Sequence, residues 1–391
     1  MTKIVILGGG YAGLRTVRQL AAAKVDAELV LVNQNSYHYQ STQLHQVAAG
    51  TKEVADITFD IQGVLPRGVK FVLDRVTTID REQHRVLLAS GSELSYDYLV
   101  NALGFESESF GIPGVEENSL PLVDIPTALR AKEELENHLA RYQYSHDEND
   151  LAIAVCGAGF TSIEYMGELA YRLPKLSKQY HFPLDKVKIS CIEAADKILP
   201  MFEPDLAVWA RQYLMDHGVT FYTSTSITAI EPGKVISKDS SFNANTIIWA
   251  TGVKGSKVIA DSGYDQKRNR VIVEEDLSVK GNPCEFLIGD VCAAMDPNTH
   301  RPYPTTAQIS VVQADCAARN IEARMQGRPG IPFTYTSTGT VCSLGPLAGV
   351  AQINFLGHWK LKGMKVGLVK KITSDRSAFE LGGVKAMLES N

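Results

Sequence analysis

Two glycine-rich loops have residue types and spacing that suit the binding of a diphosphate. The first, Gly8–Gly13, follows the apolar run Lys3–Leu7, and the second, Gly157–Gly159, follows the apolar run Leu151–Cys156. Glycines in such loops let backbone N–H groups approach a pyrophosphate, and the N-terminus of the next helix adds a favourable field for the anion. The sequence therefore predicts two dinucleotide sites.

Each loop is followed by a helical pattern. Leu14, Val17 and Leu20 recur at three-residue intervals after the first loop, and a helix is predicted over Thr161–Leu173 after the second. The stretch Pro174–Asp185 is predicted to be an inserted loop. A glycine loop between a strand and a helix is the context that the dinucleotide motif requires.

Each unit also supplies a polar residue where a ribose would lie. The strand Ala27–Val32 leads to Asn33, and the strand Val187–Ile192 leads to Glu193. Asn33 lies about 20 residues beyond its loop, the usual distance for the ribose-binding position. Two dinucleotides in one chain suggest a nicotinamide and a flavin, because a hydride passes between rings that face each other.

A third strand, Glu285–Ile288, leads through Gly289 to Asp290. Open α/β sheets hold their ligands at the carboxyl ends of their strands. Asp290 is predicted to accept hydrogen bonds from flavin ribityl hydroxyls, the alternative being a solvated loop aspartate.

Composition limits the class of protein. The chain has 391 residues, of which 45% are apolar and 21% charged, so two or three globular domains are expected. The net charge of −5 and the lack of basic aromatic stretches give no reason to expect nucleic acid. The six cysteines show no CxxC spacing, which argues against a zinc site, another metal site or a disulfide framework. No apolar run has the roughly 18 residues of a membrane span, and Lys3–Leu7 leaves no room for a signal peptide, so we expect a cytosolic chain.

The fold class predicted is α/β, with two Rossmann-like dinucleotide-binding domains. The Pro/Gly-containing stretch Ile112–Asn118 has the composition of a domain junction. We expect a discontinuous flavin domain, residues 1–112 and 252–328, with a nicotinamide domain, residues 113–251, inserted into it. A C-terminal segment, residues 329–391, follows.

Four stretches resemble the type II NADH dehydrogenases, the single-subunit NADH:quinone oxidoreductases. They are GGGYAG with VNQNSYHYQSTQLHQVAAG, then GAGFTSIEYMGEL, then IWATGV with FLIGDV, and last YPTTAQISVVQ with the basic C-terminal segment. The resemblance implies FAD at the first loop, NADH at the second and a quinone beside the AQ-containing stretch. The FAD residues implied are Gly8, Gly10, Gly13, Asn33, Gly289, Asp290 and Ala307, and the NADH residues are Gly157, Gly159, Thr161, Glu193 and Gly252.

Two residues depart from the family pattern in the first two sites. Asn33 is an amide where many relatives have an acid, and Ser162 replaces a third glycine that serves close helix–strand packing. The charge of Glu193 would repel a 2′-phosphate, which favours NADH over NADPH.

Glu164 lies just after the second loop and has two interpretations. An acid in the first turn of a helix gains about 0.3–1 kcal/mol from the helix dipole. A pyrophosphate roughly 7 Å away would repel it by about 2 kcal/mol. We therefore expect Glu164 to point toward the nicotinamide and flavin rings, or else to have a raised pKa. The resemblance implies a catalytic role in nicotinamide binding and in proton supply to a quinone.

A quinone is the acceptor that the sequence favours. Residues 33–50 lack the cysteine that disulfide reductases need. A sulfide:quinone reductase would need a reactive cysteine pair, for which Cys156 and Cys342 are the candidates. The resemblance places Gln308, and secondarily Gln313, at the quinone, with Lys365 near the same pocket; a satisfied surface amide is the alternative for the glutamines. Val312 replaces a second glutamine of many relatives.

The end of the chain reverses the overall charge. From residue 331 onward seven basic residues face three acidic ones, and apolar residues alternate with the lysines, as in a segment that lies in an anionic lipid interface. The alternative is a basic helix packed back on the flavin domain. The apolar residues are Leu356, Trp359, Leu361, Met364, Leu368, Val369 and Ile372.

These features together predict a non-proton-pumping NADH:quinone oxidoreductase, peripheral on the cytoplasmic face of a membrane, with a homodimer expected from the resemblance. One alternative is a soluble NADH-dependent flavin reductase that acts on oxygen or on a small electron-carrier protein. Another is a redox-sensing protein in which flavin reduction by NADH changes partner contacts.

Overall fold

A computed structural model describes residues 1–355 and 357–390. Leu356, one of the apolar residues of the predicted interface segment, lies outside these ranges. The helices are α1 Tyr11–Ala22, α2 Leu44–Ala49, α3 Ile61–Val64, α4 Val115–Asn118, α5 Ile125–Ser145, α6 Phe160–Tyr180, α7 Pro204–Asp216, α8 Val258–Asp261, α9 Ala307–Met325 and α10 Lys365–Glu389.

The first sheet contains strands from both ends of the chain. Its strand Thr2–Leu7 is central, and residues Ile4 to Leu7 are fully buried, as expected of a parallel strand covered on both faces. Its neighbours pair with it in parallel, and one antiparallel strand lies at the edge. The order is Ser278–Val279, Asn282–Leu287, Tyr98–Asn101, Thr2–Leu7, Ala27–Asn33 and Lys70–Leu73.

The second sheet is parallel and uses the intervening chain, with Ala152–Cys156 at its centre. The two sheets confirm the predicted fold class, while the domain limits stay a prediction. The order is Leu120–Pro121, Thr246–Trp249, Ala152–Cys156, Lys188–Ile192 and Val219–Tyr222.

Short antiparallel sheets of two or three strands complete the two lobes. The ribbon of Phe105–Ser107 and Val253–Gly255 joins the two crossings of the chain between the sheets. The other strands are Tyr37–Tyr39 with Thr58–Asp60; Val76–Asp80, Arg85–Leu88 and Glu93–Ser95; Ile227–Glu231, Lys234–Ser237 and Ser241–Asn243; and Gly339–Ser343, Gly349–Ile353 and Trp359–Lys362.

The helix after the second loop is longer than predicted. It runs through Pro174 to Tyr180, so the predicted inserted loop over Pro174–Asp185 is wrong. A proline inside a helix costs about 3 kcal/mol. Leu173 and Leu176 lie on either side of Pro174 and are buried in the second lobe. Burial of each contributes about 1.5–3 kcal/mol, which together offsets that cost.

Helix α2 belongs to the first stretch of chain but packs against the second lobe. Leu44 and Val47 share a hydrophobic cluster with Leu135 of α5 and Leu169 of α6. The polar residues between them, His45 and Gln46, are thereby placed beside α6. This packing brings side chains from distant parts of the sequence to one site.

The C-terminal helix α10 is broken at Gly383, where φ is +70°, and the residues around this break pack on the first lobe. Leu381 and Ala386 are buried there, and Lys385 donates a hydrogen bond to the Gly63 carbonyl at 3.2 Å. Before the break, Leu368 (65%) and Ile372 (58%) are exposed. The alternative of a basic helix packed back on the flavin domain thus describes only part of α10. Among the described residues, no helix is long and apolar enough to cross a membrane.

Candidate active site

A cleft of about 1540 Å³ opens between the lobes and brings the predicted chemistry together. Its lining contains residues predicted for the flavin, the nicotinamide and the quinone. The predicted residues found there are Gly8, Gly10, Asn33, Thr161, Glu164, Gly289, Asp290, Ala307 and Gln308. Gly13, Gly157, Gly159, Glu193, Gly252, Gln313 and Lys365 do not belong to this lining.

The two glycine loops have matching geometry. Gly8 and Gly157 have φ values of +99° and +97°, and a Cβ on them would meet the carbonyl oxygens of Ala102 at 2.2 Å and of Ala250 at 2.7 Å. Only glycine suits both requirements. Gly13 supports the first turn, because a Cβ there would lie 1.8 Å from the Gly8 carbonyl oxygen.

The N-termini of the two helices that follow the loops are open to a ligand. A Cβ on Gly10 or Gly159 would meet nothing within 4 Å. Helices α1 and α6 have no side-chain cap and no acidic residue in the first turn. Free N–H groups at an uncapped helix start bind anions, so both loops fit the pyrophosphate of a dinucleotide.

The two ribose positions make equivalent contacts. The Asn33 amide oxygen accepts a hydrogen bond from Gly9 N–H at 2.8 Å, and Glu193 Oε2 accepts one from Ala158 N–H at 2.7 Å. Each side chain therefore connects its strand end to its own glycine loop. Ser162, which replaces the third glycine, is fully buried, and its hydroxyl has no partner among the described residues.

Gln313 of helix α9 holds the turn that contains Asp290. Gly289 N–H donates to the Gln313 amide oxygen at 2.7 Å, and the Gln313 amide nitrogen contacts Cys292 Sγ at 3.6 Å. Gln313 is buried, so its contacts place it behind the flavin turn and give no support to a quinone contact. Burial raises the pKa of Asp290 to about 6, despite the nearby Arg270 charge.

Glu164 is the centre of a buried polar cluster whose members His45, Glu164 and Lys370 line the cleft. It lies in the second turn of α6, so the helix-dipole interpretation of its position is wrong. Only 6% of Glu164 is exposed, and its Oε1 accepts from Lys370 Nζ at 2.5 Å and from Ser343 N–H at 2.9 Å. The partner lysine comes from α10, more than 200 residues later in the chain.

His45 completes this cluster. Its Nδ1 lies 3.4 Å from Glu164 Oε2, and its Nε2 lies 3.4 Å from Lys370 Nζ. Burial, together with the Lys370 charge, lowers the pKa of His45 to about 3, so the ring is neutral. A neutral ring with its proton on Nδ1 donates to the carboxylate and accepts from the ammonium.

The charge state of Glu164 follows from the same contacts. Burial acts to raise the pKa of Glu164, but the Lys370 charge and the hydrogen bonds from Lys370 and Ser343 outweigh it and leave the pKa below its ordinary value. These contacts argue against a raised pKa of Glu164, the alternative expected from the sequence. Glu164 is a carboxylate, paired with the ammonium of Lys370.

Lys370 and His45 were missed by the sequence analysis. Lys365 is exposed and lies outside the cleft lining, whereas Lys370, five residues later, lines the cleft. A buried carboxylate requires a cation or several donors, which signals a partner for Glu164 but not its position in the sequence. Gln308 lines the cleft and accepts from the Tyr335 hydroxyl at 2.6 Å.

The cysteines do not form a reactive pair near the cleft. Cys156 and Cys342 are free, fully buried, and packed in different hydrophobic clusters. Burial raises the pKa of both thiols well above the ordinary value. Since the thiolate is the reactive form, the contacts do not favour a sulfide:quinone reductase.

Comparisons with known proteins agree with this arrangement. Residues 2–314 match the family model described as pyridine nucleotide-disulphide oxidoreductase. The chain is 41% identical to the type II NADH:quinone oxidoreductase of Staphylococcus aureus (strain NCTC 8325 / PS 47) and 41% identical to that of Staphylococcus haemolyticus, with 98% of this chain and 96% of each relative covered.

Two solved structures have a similar fold. The structure of NDH2 from Plasmodium falciparum in complex with NADH has a TM-score of 0.86 at 17% identity, with 100% of this chain and 97% of that chain covered. The sulfide:quinone oxidoreductase of Aquifex aeolicus has a TM-score of 0.82 at 21% identity, with 99% and 93% covered. The chain belongs to the pyridine nucleotide-disulphide oxidoreductase family and, within it, to the type II NADH:quinone oxidoreductases.

Proposed function

We propose that this chain oxidises NADH and reduces a quinone, without pumping protons. The observation that carries the proposal is the single cleft in which the first glycine loop, Asp290 and the Glu164–Lys370 pair meet. The near-complete alignment with type II NADH:quinone oxidoreductases supports the same reaction. A bound FAD would supply a two-electron relay between the two substrates.

The loop geometry supports the following assignment of residues to the two nucleotides. In the flavin site the open backbone at Gly10 would hold the pyrophosphate, and Asp290 would bind the ribityl hydroxyls, with Gly8, Gly13, Asn33, Gly289 and Ala307 shaping the site. In the nicotinamide site Gly159 and Thr161 would lie at the pyrophosphate and Glu193 at the ribose, with Gly157 and Gly252 shaping the turns.

By the quinone end of the cleft we mean the part lined by Glu164, Lys370 and Gln308. Lys370 would donate a hydrogen bond to a quinone carbonyl oxygen and then a proton to the reduced oxygen. Glu164 holds the ammonium in place at 2.5 Å. Gln308, on the cleft wall, would bind the second carbonyl with its amide. Gln313 and Lys365 receive no quinone role here, because their positions give none.

We further propose that the exposed apolar face of α10 lies on the cytoplasmic face of a membrane. Leu368, Ile372 and Met364 are more than half exposed and are spaced one turn apart. Their position on the helix that carries Lys370 would bring a lipid-soluble quinone to the cleft. A homodimer stays an expectation from the family resemblance.

Comparison of electron acceptors tests the function. Steady-state NADH oxidation by the FAD-loaded protein is measured with a short-chain menaquinone or ubiquinone, with oxygen, and with a small iron–sulfur carrier. The proposal predicts that a quinone gives the highest kcat/KM by far. Equal or higher kcat/KM with oxygen or the carrier would support the flavin-reductase alternative, and slow turnover with every acceptor would support the redox-sensing one.

A further inference from the structure

Glu168 is a second buried acid beside the quinone end of the cleft. It is fully buried on α6, one helical turn after Glu164. Its Oε1 accepts from the Gln46 amide at 3.2 Å, while Oε2 has no hydrogen-bond partner among the described residues. An ionised carboxylate with an unpaired buried oxygen is costly. The structure therefore favours a protonated Glu168.

The charges around Glu168 agree with that state. Lys370 of α10 and Lys52, beyond α2, act to lower its pKa, Glu164 acts to raise it, and the neighbouring His45 is neutral. Burial is the largest effect, and the pKa of Glu168 is raised. On the far side, Arg172 pairs with Glu136 at 2.7 Å and so is engaged elsewhere.

Glu164 and Glu168 are thus two carboxyl groups with opposite states on one helix face. Residues four apart on a helix lie roughly 5–6 Å apart at Cβ. Glu164 is held as the anion by Lys370, and Glu168 carries a proton with no acceptor among its described contacts. Neighbouring acids whose environments move their pKa values apart provide a proton acceptor and a proton donor.

The reaction proposed above consumes one proton from water in each turnover. NADH loses a hydride, which is two electrons and one proton, to become NAD⁺, whereas the quinone gains two electrons and two protons to become a quinol. The second proton must reach the buried Glu164–Lys370 pair. Thr51 and Lys52 are half-buried, and the Thr51 hydroxyl donates at 3.3 Å to the carbonyl of Gln46, the residue whose amide contacts Glu168.

We propose that Glu168 stores this proton and delivers it to the Glu164–Lys370 pair, an inference that rests on the proposed function. When Lys370 gives a proton to the reduced quinone oxygen, its N–H bond breaks and a quinol O–H bond forms. The proton of Glu168 passes to Glu164 and restores the ammonium of Lys370. Glu168 then takes a proton from water through the Thr51 side. Glu168 touches neither substrate and acts only through Glu164 and Lys370.

The variant Glu168→Gln tests this role, because it keeps the shape and the Gln46 hydrogen bond but carries no transferable proton. Reduced holoenzyme is mixed anaerobically with a short-chain menaquinone between pH 6 and pH 9. Loss of a group that transfers a proton directly slows a reaction by about a hundredfold or more. Because Glu168 acts only through Glu164 and Lys370, we expect a smaller effect. Quinol formation should slow by at least about tenfold at the alkaline end of this range. Reduction by NADH should be unchanged. The matched control is Glu134→Gln on α5, whose partner is Arg130 of the same helix at 2.7 Å, and it should leave both steps unchanged.

Infrared difference spectra give a readout besides turnover. Wild-type protein should show a protonated-carboxyl band that shifts in D2O and is missing in Glu168→Gln. If that variant does not retain FAD, Thr51→Val should show a smaller slowing with the same pH trend. Identical pH profiles and identical carboxyl bands in the wild type and Glu168→Gln would overturn the inference alone. Failure of the wild type to reduce any quinone would instead overturn the proposed function.

Discussion

Loss of Lys370 should destabilise the protein in a pH-dependent way. At 2.5 Å the attraction between Lys370 and Glu164 is about 7 kcal/mol at an effective dielectric of 20, before the cost of desolvation. Removal of one partner of a buried pair typically costs about 3–5 kcal/mol. Because Lys370 keeps 17% of its side chain exposed, we expect Lys370→Met to lose about 3 kcal/mol at pH 8.

The pH dependence follows from the pKa of Glu164. In the wild type this pKa lies below the ordinary value of 4.5, so the group contributes its full stability above pH 5 and loses it as pH falls through the folded pKa. In Lys370→Met only burial remains as a large effect, and the folded pKa rises. Stability of the variant then falls as pH rises above the ordinary value, by up to about 1.4 kcal/mol per pH unit.

The assay is urea unfolding of the FAD-saturated protein, followed by circular dichroism at pH 5.5, 6.5 and 8. The control Lys371→Met removes the neighbouring exposed lysine, which pairs with Asp375 at 3.7 Å, and should cost less than about 1 kcal/mol at each pH. The double variant Glu164→Gln/Lys370→Met should be more stable at pH 8 than Lys370→Met alone. Equal losses for the two lysine variants, or a loss that does not grow with pH, would refute the reasoning.

Three further predictions concern the loops, the carboxylate and the surface of α10. Glu164→Gln should slow quinone reduction by about a hundredfold, with flavin reduction by NADH near its wild-type rate in stopped-flow traces. Gly13→Ala should destabilise the protein even without FAD, because the new Cβ would lie 1.8 Å from a carbonyl oxygen. Gly10→Ala should leave apoprotein stability unchanged and weaken FAD binding in titrations. Leu368→Glu/Ile372→Glu should reduce binding to anionic liposomes by at least about tenfold, since each apolar side chain contributes about 1.5–3 kcal/mol on burial.

Each of these has an outcome that contradicts it. Near-normal rates of both half-reactions in Glu164→Gln would remove the carboxylate from the quinone step. Equal apoprotein stability of the two glycine variants would mean that the close approach at Gly13 does not constrain the fold. The control for the surface of α10 is Val208→Glu, an exposed apolar residue of α7 that is 67% accessible. Equal liposome binding by this control and the double variant would argue against α10 as the interface.

Local pattern was enough to predict the strand–loop–helix units. Gly8 and Gly157 require positive φ and a close carbonyl, a requirement that a short stretch of sequence expresses directly. The limit of α6 was predicted wrongly because the effect of Pro174 is local, whereas the burial of Leu173 and Leu176 that outweighs it depends on the packed second lobe.

For the quinone end of the site, the sequence could predict the type of residue required but not the positions of those residues in the chain. Its members, His45, Glu164, Ser343 and Lys370, come from α2, α6, a C-terminal strand and α10. No periodicity connects residues so far apart, and the packing of α2 on the second lobe is a tertiary contact. The resemblance placed a lysine near this pocket, but on α10 a shift of five residues turns the side chain from solvent toward the cleft.

The central claim is that one cleft passes electrons from NADH to a quinone. The most direct measurement is an anaerobic single turnover, in which the yellow holoprotein is mixed with one equivalent of NADH and then with a short-chain menaquinone. We predict that the flavin absorbance is lost in the first mixing and returns in the second, with one quinol formed per NADH. A flavin that is bleached by NADH and stays bleached with menaquinone and with ubiquinone would contradict the account.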